Sequence, residues 1–353
     1  MECAMSKILF ESTESPLTIL EPSKEFAESQ HTVIVRKDPL LGDTSVYNPF
    51  LKDKAKLFFG ESDPDLVRQL IEGSGKACFF CGEGVTKSTP KYPSALVPEG
   101  RIRSGEAVLF PNMFSIAKYH AITALSWAHF LTLSEFTSAV LADGFSANQE
   151  FLNAVYRDDQ SAPYAIVCAN YLFPAGASLV HPHMQTLVSP VAYSYHERLV
   201  SACRAYYREE GSAYHKDLIA AEKECGLRYI AQRGRWHWLA AFSPMGSNEV
   251  IAIHEQESDF AGLIGEDIRD LTDGLSRVLR CYGVLGHLSF NYALYSVKGS
   301  AGEEGIRCLI KIITRQNLYT NYRNDDYFLQ KLLQSELIVT LPEELTLKMR
   351  EFF

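Results

Sequence analysis

Cysteine is sparse in this 353-residue sequence: there are eight, and only Cys78 and Cys81 stand close together. That density excludes a disulfide scaffold for a chain of this length. The scattered cysteines sit largely in apolar contexts, where the residue behaves as a small hydrophobe. No apolar run is long enough to span a bilayer. The stretch Met1 to Phe26 carries Glu2, Glu11, Glu14 and Glu21 and has no signal-peptide core, so a cytoplasmic setting is expected. Positive charge is also short: the net charge is −9. Without a basic field, nucleic acid is not an expected partner, and any phosphate ligand must be held by local donors. Hydrophobic residues at 46% and charged residues at 22% are ordinary for a globular protein, and the length allows two packed domains.

The chain repeats one order of elements. Val108–Phe114 and His120–Ser126 read as strands. Thr132 or Ser134 can cap the helix that follows, in which Leu141, Phe145, Leu152 and Val155 recur at helical spacing. Tyr164–Tyr171 is a nearly continuous apolar strand, and a turn with Pro174 and Gly176 leads into a strand over Leu179–Ser189. Later, His237–Pro244 and Glu249–Glu255 read as strands, and Ile268, Leu271, Leu275 and Val278 share a helical face. Leu288–Val297 and Arg307–Arg315 close this half around a flexible loop at Ala301–Gly305. The expected fold class is α+β, with two pseudo-duplicated domains, residues 1–190 and 191–353, each an antiparallel sheet covered by a helix. The segment between the repeats is expected to be helical around Glu197–Arg208 and Tyr214–Glu224, with Tyr206 and Tyr207 covering a sheet. The first fifty residues read as irregular, Trp236-His237-Trp238 as sheet packing, and His254 and His287 as ordinary histidines.

The segment Asn170 to Gln185 is the most informative. In a strand, alternate residues share a face, so Leu179, His181, His183, Gln185 and Leu187 fall on one side, with Val180, Met184 and Val188 on the other. Three polar side chains in a row on an otherwise apolar strand are costly unless something binds them. Pro182 cannot donate to a ladder, so the strand is at an edge or irregular there. A neutral imidazole can attack phosphorus, dividing one displacement into two through a covalent intermediate. The site must then spread phosphoryl charge. Gly176 lets backbone N–H groups approach, the Ser178 hydroxyl adds a donor, and the Gln185 amide donates without exchanging a proton.

Cys78-Phe-Phe-Cys81-Gly82 has the spacing of half a zinc site, two thiolates on one tight turn. A complete structural site needs two more ligands. His129 and His181 are candidates, and His120 competes with His129 on spacing.

Taken together, these residues resemble the galactose-1-phosphate uridylyltransferase family, a branch of the histidine-triad superfamily. His181-Pro-His183-Met-Gln185 matches its His-Pro-His-x-Gln, Gly176 and Ser178 its Gly-x-Ser, and Asn170 its upstream Asn. Cys78 and Cys81 match its zinc cysteines, and the resemblance favours His129 and His181 as the remaining ligands. Arg36 to Gly42 resembles an early Arg-x-x-Pro-Leu-x-Gly segment, and Asn112 stands in the segment whose Asn contacts the nucleotide.

The resemblance implies a nucleotidyl-His183 intermediate, structural zinc and, for the family, often a homodimer. His183, Gln185 and Ser178 would carry the chemistry, while Arg36, Asn112, Asn170, Gly176, Ser178 and Gln185 would hold nucleotide and phosphate. The donor would be a nucleoside diphosphate sugar and the acceptor a sugar 1-phosphate or inorganic phosphate, as in ADP-glucose and dinucleoside-polyphosphate phosphorylases. Gln185 speaks against hydrolysis, because an amide cannot titrate as the His of hydrolytic relatives does. One departure matters: the strand Arg307 to Arg315 lacks the His-rich pattern of hexose uridylyltransferases. That argues against galactose 1-phosphate as acceptor and leaves a nucleotide-binding or regulatory protein as the other reading. Lys311 and Arg315 could hold an acceptor phosphate, but read rather as solvated strand residues.

Overall fold

The computed structural model describes residues 7–54, 58–299 and 305–353. Of the expected loop Ala301–Gly305, all but Gly305 lie outside the described residues. The chain opens with strands β1 (Glu11–Glu21), β2 (Ala27–Lys37) and β3 (Thr44–Tyr47), then helices α1 (Pro64–Gly75) and α2 (Gly84–Lys87). Strands β4 (Ile102–Ser104), β5 (Ala107–Pro111) and β6 (Tyr119–Ala124) lead to α3 (Ser138–Asp158), followed by β7 (Tyr164–Tyr171) and β8 (His183–Ser189). Helices α4 (Ser194–Glu210) and α5 (Tyr214–Cys225) connect to β9 (Tyr229–Arg233), β10 (Trp236–Ala240) and β11 (Val250–His254). Helix α6 (Gly265–Val284), strands β12 (Phe290–Val297) and β13 (Leu309–Thr314), helix α7 (Phe328–Leu332), strand β14 (Ser335–Ile338) and helix α8 (Pro342–Arg350) complete the α+β fold.

The repeated order is built as two half-sheets that meet edge to edge. β7 pairs with β12 antiparallel over their full lengths, from Tyr164↔Val297 to Tyr171↔Phe290. The result is one ten-stranded sheet in the order β4-β5-β6-β8-β7-β12-β13-β11-β10-β9. Exchanging the halves reverses that order onto itself, so a pseudo-two-fold axis passes through the β7–β12 ladder.

The two long helices lie side by side on one face and share a core. Leu141, Phe145, Leu152 and Val155 of α3 cluster with Ile268, Leu271, Leu275 and Val278 of α6. The sheet contributes Val167, Met184, Val188, Phe290, Tyr292 and Leu294 to the same cluster. Burial of this many large apolar side chains drives the assembly, at roughly 1.5–3 kcal/mol for each one fully buried. On the opposite face, α4 and α5 cover the second half-sheet through Leu199, Val200, Cys203, Tyr214 and Leu218, packed on Leu239, Ile251, Ile253 and Leu309. Among the described residues, the corresponding face of the first half-sheet is packed instead by Phe80 and by Val85 of the short α2, against Val108, Phe110 and Ala124.

Three expectations change. The first fifty residues are not irregular: β1 and β2, each of 11 residues, form an antiparallel hairpin. β3 joins it, and β14 from the C-terminal region pairs parallel with β3. β1 is exposed along nearly its whole length, so no apolar alternation marks it in the sequence. The cap of α3 is Thr137, whose Oγ1 accepts from Val140 N, and Thr132 caps a separate short turn at Leu133–Glu135 instead. The strand expected from Leu179 starts only at His183, because Pro182 has no N–H to give.

Gly274 marks the tightest approach of α6 to the sheet. Any Cβ there would overlap the indole of Trp238, which is fully buried. Gly274→Ala is expected to destabilise the protein by about 1–3 kcal/mol through overpacking. A urea midpoint equal to the wild type would count against this account.

Candidate active site and metal centre

The face of the first half-sheet turned away from α3 carries most of the residues that the sequence singled out. Cys78 and Cys81 follow α1 on a tight turn, with Cys81 N bonded to Cys78 O at 3.2 Å and Gly84 N to Cys81 O at 3.0 Å. His129 lies in the loop after β6 and His181 just ahead of β8. Their donor atoms and both sulfurs lie within 4.8 Å of one another. His181 Nδ1 is 3.3 Å from Cys81 Sγ and 3.7 Å from Cys78 Sγ, and His129 Nδ1 is 3.3 Å from Cys81 Sγ. A tetrahedral ion with bonds of about 2.0–2.3 Å requires donor separations of about 3.3–3.8 Å.

The hydrogen bonds behind the histidines set their tautomers. His181 Nε2–H donates to the Ser126 carbonyl at 2.9 Å. His129 Nε2 meets Ser74 Oγ at 2.9 Å, and that hydroxyl spends its proton on the Leu70 carbonyl at 2.6 Å. Both Nδ1 atoms therefore turn bare lone pairs toward the thiols, as metal-ligating histidines do. Burial lowers the pKa of His129 and takes His181 down to about 4, against the opposing Ser126 bond, so both are neutral near pH 7. Burial, then the bond and charge of Cys78, pushes the Cys81 thiol up to about 11. Two adjacent thiolates need a cation to stay ionised, and this donor set suits one.

The same turn reaches the histidine strand. Phe80, between the two cysteines, is 2% exposed and sits edge-on to His181, His183 and Phe110, at 5.7, 5.7 and 5.3 Å between ring centroids. His183 Nδ1 donates to the His181 carbonyl at 2.8 Å. That bond fixes the proton on Nδ1 and leaves the Nε2 lone pair free. Burial lowers the His183 pKa, with the His181 bond opposing, so the ring is neutral.

Gln185 is oriented from behind by His120, which lies outside the cysteine cluster. Ile116 N–H points at His120 Nδ1 at 3.3 Å, so the ring proton is on Nε2, and Gln185 Oε1 accepts it at 2.9 Å. The Gln185 NH2 then faces away from His120, and no protein group among the described residues accepts from it. Asn112 packs on the same imidazole: its Oδ1 accepts from Phe114 N at 2.9 Å, and its Nδ2 is 3.2 Å from His120 Nε2. Gly176, at φ 86°, closes the turn after Phe173–Ala175, and Ser178 is exposed two residues later. Asn170 lies at the level of His183, since its strand neighbour Cys168 pairs with Gln185.

Arg36 is not brought to this group. Its guanidinium makes paired bonds of 3.1 Å to Glu343 and a bond of 3.3 Å to the Phe242 carbonyl. Lys311 and Arg315 are not solvated strand residues: Lys311 Nζ is 2.9 Å from Glu249 Oε1, and Arg315 is held by Asp325 and Asn291. The sequence reading gave no role to His120 beyond metal competition and none to Asn291. A His facing Gln185 across two strands has no local signal.

Ser74 is a support for His129, not a ligand, so Ser74→Ala is expected to weaken metal affinity about 10- to 100-fold. Cys81→Ser should abolish stoichiometric metal. Competition with a chromogenic chelator reads both, and wild-type affinity in Ser74→Ala would remove this role.

No established family model matches the sequence. An uncharacterised protein of Archaeoglobus fulgidus is 30% identical over 326 residues, which cover 92% of this chain and 93% of that one. An ADP-glucose phosphorylase from Arabidopsis thaliana, crystallised with bound ADP-glucose, superposes with a TM-score of 0.69 at 17% identity, covering 90% of this chain and 98% of that one. A GalT-like protein of the same plant gives 0.67 at 16% identity over 90% and 99%, and a uridylyltransferase 0.64 at 18% over 90% and 97%. The chain therefore belongs to one family with the Archaeoglobus fulgidus protein and shares the fold of the ADP-glucose phosphorylase, GalT-like and uridylyltransferase structures.

Proposed function

We propose that this protein transfers a nucleotidyl group from a nucleoside diphosphate sugar, through His183, to a sugar 1-phosphate or inorganic phosphate. The observation that carries the reading is the His183 Nδ1–His181 carbonyl bond of 2.8 Å, which reserves Nε2 for chemistry. Nε2 attacks the α-phosphorus, a P–N bond forms, and the bond to the β-phosphate oxygen breaks, releasing sugar 1-phosphate with the electron pair. An oxygen of the acceptor phosphate then attacks the same phosphorus, and the P–N bond breaks to return the lone pair to His183. The NH2 groups of Gln185 and Asn170, the Ser178 hydroxyl and the backbone at Gly176 spread the phosphoryl charge. Gln185 neither gives nor takes a proton, which favours a phosphate acceptor over water.

The metal in the Cys78, Cys81, His129 and His181 cluster is zinc on this reading. It supplies structure: it ties the turn bearing Phe80 to the approach of the His183 strand. The enzyme is taken to be a homodimer, as the family resemblance implies, in the cytoplasmic setting expected from the sequence. Among the described residues, no helix is long and apolar enough to cross a membrane. The fold shared with an ADP-glucose phosphorylase supports an ADP-sugar among the donors to be tried.

The test is incubation with ADP-glucose and UDP-glucose labelled at the α-phosphate, with an alkaline quench. Wild type should retain acid-labile label, and His183→Gly should bind nucleotide yet take none. Gln185→Ala should slow labelling on the order of 100-fold, the usual loss for one charge-stabilising donor. Undiminished labelling of His183→Gly would sink the mechanism.

A further inference from the structure

Two amide side chains bond across the seam between the half-sheets. Asn291 in β12 lies opposite Asn170 in β7. Asn291 Nδ2 donates to Asn170 Oδ1 at 2.7 Å and to the Ala175 carbonyl at 2.9 Å. Arg315 Nη1 donates to Asn291 Oδ1 at 2.7 Å. The guanidinium is itself gripped by Asp325, through Nε at 2.8 Å and Nη2 at 2.6 Å.

The oxygen and nitrogen ends of an amide are told apart by their partners, and here the partners admit one arrangement. A guanidinium has only N–H groups to offer, so Asn291 must turn its oxygen to Arg315. A carbonyl has only lone pairs, so Asn291 must turn its nitrogen to Ala175. Both protons of the Asn291 NH2 are then used, one on Ala175 and one on Asn170. Asn170 must therefore present Oδ1 to Asn291, and its own NH2 points away. Among the described residues, no protein group accepts from that NH2. It stands at the level of His183 on the adjacent strand.

We infer that Asn291, fixed by Arg315 and the Ala175 carbonyl, is a positioning residue that aims the N–H donors of Asn170 at the phosphate on His183. The inference rests on the nucleotidyl-transfer reading of this site. Its content is that the second half of the chain sets the polarity of a donor in the first. A flipped Asn170 would turn an oxygen toward a phosphate oxygen, repelling charge that the site must spread.

Asn291→Asp tests this with little change in shape. The carboxylate still accepts from Arg315, but it faces Asn170 with an acceptor and so draws the Asn170 NH2 toward itself. Labelling by α-phosphate-labelled ADP-glucose or UDP-glucose should slow on the order of 100-fold, with the affinity for the unlabelled nucleotide far less affected. In an Asn170→Ala background, the same change should cost little more, because the group that it acts through is gone. A wild type that takes no label overturns the transfer reading and this inference with it. A labelled wild type with Asn291→Asp at the same rate, or with the full loss persisting in the Asn170→Ala background, overturns the inference alone.

Discussion

The pairing of β7 with β12 is the contact on which the rest depends. Each half-sheet ends in a strand whose backbone would be unpaired if the halves parted, and an unpaired apolar strand edge is a liability in water. Joining the edges makes one sheet, and it brings α3 and α6 together so that Phe145, Leu271 and Tyr292 share one core. The seam also places Asn291 of one half against Asn170 of the other. Fold and site therefore lean on the same ladder.

The chemistry around His183 is arranged by fixing protons rather than by placing charges. His183 gives its Nδ1 proton to a carbonyl, and His181 and His129 give their Nε2 protons to oxygens, so each bare nitrogen is defined by the bond on the other side of its ring. Gln185 follows the same logic, since His120 occupies its oxygen. Such bonds contribute only about 0.5–1.5 kcal/mol each to stability. Their greater consequence is that each donor and acceptor at the site faces one way before any ligand arrives, which on the transfer reading avoids reorganisation during the reaction.

Much of this was legible in the sequence because it is local. Cys78 and Cys81 share a turn, and His181, His183 and Gln185 lie within five residues. Alternation also placed Met184 and Val188 in the core, where they are. The helix faces of α3 and α6 followed from spacing. The parts that were not legible depend on distant partners. Arg36 matched an early motif, yet its bidentate partner Glu343 comes from the far end of the chain. Arg315 and Lys311 read as solvated until Asp325, Asn291 and Glu249 are brought against them. β1 carried no apolar alternation because its faces remain in solvent.

The pseudo-symmetry has a consequence for how the chain can vary. β8 and β13 start with His183 and Leu309, so Gln185 corresponds to Lys311. His120 faces Leu187 in one half, as Glu249 stands one step beyond Val250–Ile312 in the other. The neutral His120–Gln185 bond thus has as its counterpart a buried ion pair, and His183 has as its counterpart Leu309. Removing one member of a buried pair strands the other charge, whereas replacing both by apolar residues is often tolerated. Lys311 and Glu249 are therefore free to drift only in step, as a correlated pair, while on the transfer reading their counterparts Gln185 and His120 are held singly by the reaction.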